Sequence, residues 1–312
     1  MTAFRLGINT CFAVKRWPRP ADWAPIVRDE LGLDLVQHSL DLVDTEAGEA
    51  ELRREATALR EACVSAGVAL HSTFTGLAAY SSNLLMHPDP AARSRALEWY
   101  RQVIDFTATA GAASTGGHVG ACSVADWRDP RRRAERWHEL QASLRLLAAD
   151  ARRAGLGSLM IENLAAAREP STMDDVRSLL TDGDAGHVPI VLCLDVGHQC
   201  VPGATGAETD PYAWLAQLGS FAPVVQLQQS DAVADHHWPF TPAANRAGRI
   251  EADRVLRAIE ASGATEVALI LEIIPPFEAD DDQVVDDLRV SAEYWRQAGT
   301  TWTGKGADES GT

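Results

Sequence analysis

Three acids, Glu162, Asp195 and Glu272, each close an apolar run and precede a turn, in SLMIENL, VPIVLCLDVGH and VALILEIIPP. A carboxylate at the end of a buried strand is costly unless something positive meets it. Any one of these acids alone could be a helix cap or an ion-pair partner. Matched positions on three runs point instead to a shared task, most simply holding a divalent cation. The fragment LDVGH adds His198, three residues beyond Asp195, placed to bind that cation or to hydrogen-bond a substrate hydroxyl. The substrate role is the one expected.

Such residues need a scaffold that gathers strand ends. Eight apolar runs, FRLGIN, LDLVQH, VALHSTF, ASTGGHV, SLMIEN, IVLCLD, VVQLQQ and VALILEI, read as strands. Amphipathic stretches follow them near 20–31, 47–66, 90–110, 130–154, 172–182, 210–219, 251–262 and 281–298. Asp89-Pro90 and Gly111 bracket the third helix, Ser171 with Asp174 opens the fifth in capping-box style, and Asp280 to Asp282 start the last. Strict alternation implies parallel strands with helical crossovers, and eight units fit a single (β/α)8 barrel over residues 1–299. No GxGxxG follows a strand, which excludes a dinucleotide-binding sheet. Residues 300–312, ending in the small, polar segment TWTGKGADESGT, read as a loose tail.

In a (β/α)8 barrel the active site lies at the carboxyl ends of the strands. Those ends read Asn9, His38, His71, His118, Glu162, Asp195, Gln226 and Glu272. Strand parity puts Glu162 on one face with Met160, Asp195 with Cys193, and Glu272 with Ile270. Strands five to eight are neighbours about 4.8 Å apart, so their terminal side chains can converge on one ion. His38 reads as structural, whereas His71, His118 and His198 are placed to line a pocket.

The composition, 46% hydrophobic and 23% charged, is that of an ordinary globular protein. No run approaches the length of a membrane span, and the first residues lack the apolar core of a signal peptide. A net charge of −16 argues against a nucleic-acid partner, because phosphate backbones reward Lys and Arg clusters. Five cysteines without close CxxC spacing read as reduced thiols of a cytoplasmic protein.

IENL, LDVGH and LILEI, each at a strand end, resemble the xylose-isomerase-like barrels, over roughly residues 4–298. That superfamily includes sugar isomerases, ketose 3-epimerases and an endonuclease IV class. HSTFTGLAAYSSNLLMHPD and TGGHVGACSVADW are similar to its tetrulose 4-phosphate branch of erythritol catabolism. The resemblance implies a metal held by Glu, Asp, His and Glu on strands five to eight, hence Glu162, Asp195, position 226 and Glu272. Gln226 stands where the His is expected, giving an all-oxygen set that favours Mn²⁺ or Mg²⁺ over Zn²⁺ or Co²⁺. A multi-zinc, endonuclease-like site could draw on His71, His118, His198 and the Asp235–His237 pair, but the acidic charge and Gln226 argue against it.

The expected reaction is a metal-dependent 3-epimerisation of a ketose or ketose phosphate through an enediolate, in a dimer or tetramer. Glu162 and Glu272 serve as the acid–base pair, one on each face of the reacting carbon. Arg246 is the expected phosphate donor, with Arg249, Lys15, Arg16 and Arg168 as further candidates. The alternatives are an aldose–ketose isomerase on the same scaffold and a non-catalytic sugar-binding protein whose metal site has decayed.

Overall fold

A computed structural model of the chain, describing residues 2–308, contains eight parallel strands closed in sequence order into a barrel. The strands are β1 (Ala3–Asn9), β2 (Leu35–Ser39), β3 (Ala69–Phe74), β4 (Ser114–Gly117), β5 (Ser158–Glu162), β6 (Ile190–Asp195), β7 (Val224–Leu227) and β8 (Glu266–Leu271). Each coincides with its expected run, β1, β2 and β8 reaching one residue beyond it. The helices are α1 (Pro20–Pro25), α2 (Glu49–Ala66), α3 (Pro90–Ala110), α4 (Val124–Arg128), α5 (Pro130–Ala154), α6 (Met173–Leu179), α7 (Pro211–Leu218), α8 (Pro242–Ala247), α9 (Ala252–Ala261) and α10 (Asp281–Asp308). Short α4 and α8 are additions that the periodicity did not announce, because each is little more than one turn. Helix α10 continues through the start of the segment read as a tail, and residues 309–312 lie outside the described ones. Among the described residues, no helix is long and apolar enough to cross a membrane.

The helix boundaries have local causes. Asp89 accepts from the Ala91 N–H ahead of Pro90, and Gly111 ends α3 in the left-handed conformation at φ +83°. The cap of α6 is Thr172, which accepts from Asp175 N–H, one residue beyond the expected Ser171. Asp280 accepts from the N–H groups of Asp282 and Gln283, so the acidic start of α10 is a cap as well as a dipole partner.

Two apolar layers flank the sheet. Leu35, Phe74, Met160, Cys193, Val224, Ala268 and Ile270 fill the barrel interior. Ile161, Leu192, Leu194, Val225, Leu269 and Leu271 face the other way, into the layer shared with the helices. Alternation therefore points Glu162, Asp195 and Glu272 inward, above the interior apolar layer. At Gly116, φ is +152° and an added Cβ would lie 1.9 Å from the Met160 carbonyl oxygen, so β4 can approach β5 only as glycine.

Candidate active site

Glu162, Asp195 and Glu272 lie together at the carboxyl end of the barrel, all buried. Asp195 is held through its backbone. The Asn163 side chain donates to its carbonyl at 3.0 Å and accepts from its N–H at 2.8 Å, and Gln199 Nε2 donates to the same carbonyl at 2.8 Å. Its Oδ1 takes the Gly197 N–H at 2.5 Å and Gln228 Nε2 at 3.1 Å, which leaves Oδ2 buried and unpartnered.

Two histidines join the acids. His198 Nδ1 lies 2.7 Å from the Asn163 carbonyl, which can only accept, so Nδ1 carries the proton. His237 Nδ1 is likewise 3.2 Å from the Glu272 carbonyl. Each imidazole therefore turns Nε2 toward one oxygen of Asp235, at 3.2 Å from His198 and 3.1 Å from His237. Bare nitrogen lone pairs facing a carboxylate repel unless a proton or a cation lies between them. A backbone carbonyl on the far nitrogen is how metal-ligating histidines are usually oriented. Three overlapping sets, Glu162–Asp195–His198, Asp195–His237–Glu272 and His198–Asp235–His237, bring their ligand atoms within 4.8 Å of one another. With Glu162 Oε1, Asp195 Oδ2 and His198 Nε2 buried without hydrogen-bond partners, the donors present fit a divalent cation.

The electrostatics agree. Burial, with the Asp195 charge added, pushes Glu162 up to about 8 against the pull of His198. Burial followed by Asp195 and Glu162 raises Glu272 well above the usual carboxylate range. For His198, burial alone would lower the pKa, but Asp195, Asp235 and Glu162 together raise it well above the ordinary value. Without a cation, the cluster holds protons that a cation would replace.

Gln226 departs from expectation. Its Nε2 donates to Glu272 Oε1 at 2.9 Å and to Gln37 Oε1 at 2.8 Å, so the amide nitrogen, not the oxygen, faces the acid. The reverse orientation would set its oxygen against two other acceptors. The side chain that meets Asp195 is instead Gln228, just past the end of β7, whose Nε2 bridges Asp195 and Asp235 (2.7 Å to Asp235 Oδ1). The acids thus meet imidazole nitrogens, and the all-oxygen argument for Mn²⁺ or Mg²⁺ over zinc loses its basis.

The remaining candidates separate clearly. His118 is buried with both ring nitrogens unpartnered, and the Tyr80 ring stacks on it at 4.5 Å while the Tyr80 hydroxyl donates to Glu162 Oε2 at 2.9 Å. Burial lowers the His118 pKa to about 4, leaving a neutral ring able to donate from one nitrogen and accept at the other. His71 does not reach this group. The β2–β3 register runs from Val36↔Leu70 to Gln37↔Ser72, so His71 is the extra residue of a bulge, and Arg5 and Glu266, near the amino ends of β1 and β8, are the charges that act on it. His38 is structural as expected, stacked on Trp23 and 3.1 Å from Thr10 Oγ1.

Arg246 sits in the last turn of α8 and joins none of the hydrogen bonds described around the acids. Arg249 spends its guanidinium on the carbonyls of Thr209 and Gln199, Arg16 on those of Ala279 and Pro276, and Arg168 on that of Cys122. Lys15 lies over the Phe277 ring at 4.0 Å. Sequence reasoning missed Tyr80 and Gln228, and it set aside Asp235 and His237; all four lie beyond strand ends.

A parallel eight-stranded barrel with carboxylates and histidines at its carboxyl end defines a class, and residues 29–297 match the model of the xylose isomerase-like TIM barrel family. The chain belongs to that family. It is similar to D-erythrulose 1-phosphate 3-epimerase of Brucella abortus (strain 2308), 27% identical over 298 residues that span 94% of this chain and 96% of that one. A crystal structure from Rhodospirillum rubrum, provisionally named a xylose isomerase, is 34% identical with a TM-score of 0.86, covering 95% of this chain and 99% of that one. D-psicose 3-epimerase of Clostridium cellulolyticum H10 shares the fold at 15% identity, with a TM-score of 0.68 over 94% of this chain and 99% of that one.

Proposed function

We propose that the protein is a divalent-metal-dependent carbohydrate epimerase that inverts the carbon beside the ketone of a short ketose phosphate, of the erythrulose phosphate type. The observation that carries this reading is the pairing of Glu162 and Glu272 around Asp195. Each has one oxygen held by a donor and the other turned to the cluster, Glu162 Oε1 at 3.5 Å from His198 Nδ1 and Glu272 Oε2 at 3.7 Å from His237 Nδ1. Two carboxyl groups, one per face, are what inversion through a planar intermediate requires. The similarity to an erythrulose phosphate epimerase along nearly the whole of both chains supports the substrate class.

Glu162, Asp195, His198, Asp235, His237 and Glu272 are the donors that would hold the cation. When bound, it supplies Lewis-acid polarisation of a ketone oxygen. One glutamate takes the proton from the carbon beside the ketone, and the C–H electron pair moves into the carbon–oxygen system as an enediolate. The other glutamate, entering protonated, delivers its proton to the opposite face. A carboxyl group with a pKa of about 8, as at Glu162, can hold a proton near neutrality and give it up. His118 supplies a donor and an acceptor for substrate hydroxyls. Burial keeps bulk water from quenching the intermediate.

In erythrulose 1-phosphate the only stereocentre is the carbon beside the ketone, so inversion interconverts the D and L forms. The test is incubation of D-erythrulose 1-phosphate with metal-loaded protein in D₂O. L-Erythrulose 1-phosphate carrying deuterium at C3 is the expected product. An aldose product identifies an isomerase instead, and absence of both exchange and conversion with metal bound refutes the epimerase reading for this substrate.

A further inference from the structure

We propose that Asn9, Gln37 and Gln226, from β1, β2 and β7, form a positioning frame that pins one oxygen of Glu272 so that only the other reaches the substrate. The inference rests on the epimerase reading above and concerns how one of its two bases is aimed. Glu272 Oε1 accepts from Asn9 Nδ2 at 3.1 Å and from Gln226 Nε2 at 2.9 Å. The same two amide nitrogens donate to Gln37 Oε1, at 2.9 and 2.8 Å. These four groups close a ring in which every N–H of both amides is used. Gln37 Nε2 is tied to Ser72 Oγ at 3.2 Å, and Asn9 Oδ1 accepts from the Cys11 N–H at 2.9 Å. Turning either Asn9 or Gln226 over would set oxygen against oxygen, so the ring has one orientation.

Its cost argues for a role beyond filling space. Gln226 Oε1 is left buried with no partner, a penalty that an apolar side chain of the same length would avoid. Glu162 is treated differently, because its Oε2 is held by a single phenol, Tyr80, on the exposed 3-10 turn Leu77–Ser81. The base on one face is therefore fixed by the barrel itself, whereas the base on the other is held from a surface loop.

Gln226→Met removes the donor while keeping the length, and Gln37→Met loosens the ring without touching Glu272. Each is assayed from D- and from L-erythrulose 1-phosphate in D₂O, with kcat, KM and wash-in of deuterium at C3 followed separately. In Gln226→Met, kcat for inversion is expected to fall about 10–100-fold, as for lost supporting partners of an active-site group, with KM little changed. Wash-in should fall with it for one epimer, the one deprotonated by Glu272, and stay near the wild-type rate for the other. Gln37→Met should show the same asymmetry, smaller, and decides the matter if Gln226→Met fails to fold. Equal loss for both epimers, or no loss, in a folded variant overturns the frame; a wild-type protein that exchanges neither epimer overturns the epimerase reading and the frame with it.

Discussion

Divalent metal should enter this centre only by displacing protons. Burial and the Asp195 charge raise Glu162 to about 8, so in the metal-free protein it holds a proton near neutrality. Glu272 is raised in the same direction by burial and by its acidic neighbours. His198, held positive by Asp195, Asp235 and Glu162, must give up its Nε2 proton before that nitrogen can act as a ligand. Binding at pH 7 should therefore release between about one and three protons. The sign follows from the raised values: protons and metal compete for the same atoms, so affinity is weak at low pH and rises through neutrality. Each proton released costs roughly tenfold in apparent affinity per pH unit lowered, or ~1.4 kcal/mol. Calorimetric titration of Mn²⁺ or Zn²⁺ into chelator-stripped protein, in buffers of low and high ionisation enthalpy, counts the protons directly. Glu162→Gln should lower the count by about one. Stoichiometric binding with no proton release, or an affinity flat across neutral pH, would show that Glu162 and His198 are not ligands.

Asn163→Ala should destabilise the folded protein by roughly 2–4 kcal/mol, since it removes two buried hydrogen bonds and leaves the Asp195 N–H without a partner. Urea unfolding measures this, and a change below about 0.5 kcal/mol would mean that Asp195 is positioned by something else. Gly116→Ala forces a Cβ into the Met160 carbonyl and should cost several kcal/mol or abolish folding. Soluble expression and a thermal melt check it, and a wild-type melting temperature would show that β4 and β5 can move apart without loss.

The barrel was legible because each unit repeats the same two periods, alternation in the strands and a 3.6-residue stripe in the helices. Parity then fixed which strand residues point inward, and Glu162, Asp195 and Glu272 do share a centre. Parity is blind to depth. Gln226 on β7 and Gln228 just past its end have the same parity, but two residues are about 7 Å along an extended chain, enough to put one against Gln37 and Glu272 and the other against Asp195 and Asp235. Parity also assumes an unbroken register. On β2 the alternation holds, with Gln37 inward like Leu35 and His38 stacked on Trp23, but the bulge in β3 takes His71 out of its parity and leaves it under the charges of Arg5 and Glu266. The last group of residues at the candidate site lies past the strand ends, where no period operates: Tyr80 meets Glu162 across 82 positions of sequence. Asp235 and His237 are gathered in turn by the loop after β7, whose His237 N–H donates to Gln228 Oε1 at 2.6 Å. Strand ends therefore supply Glu162, Asp195 and Glu272, and loops supply Asp235, the imidazoles and the phenol set against them. Substitutions in the loops should accordingly alter which substrates and metals the centre accepts while leaving the barrel intact, whereas changes at Asn9, Gln37 or Gln226 should, under the proposed frame, alter how Glu272 is aimed.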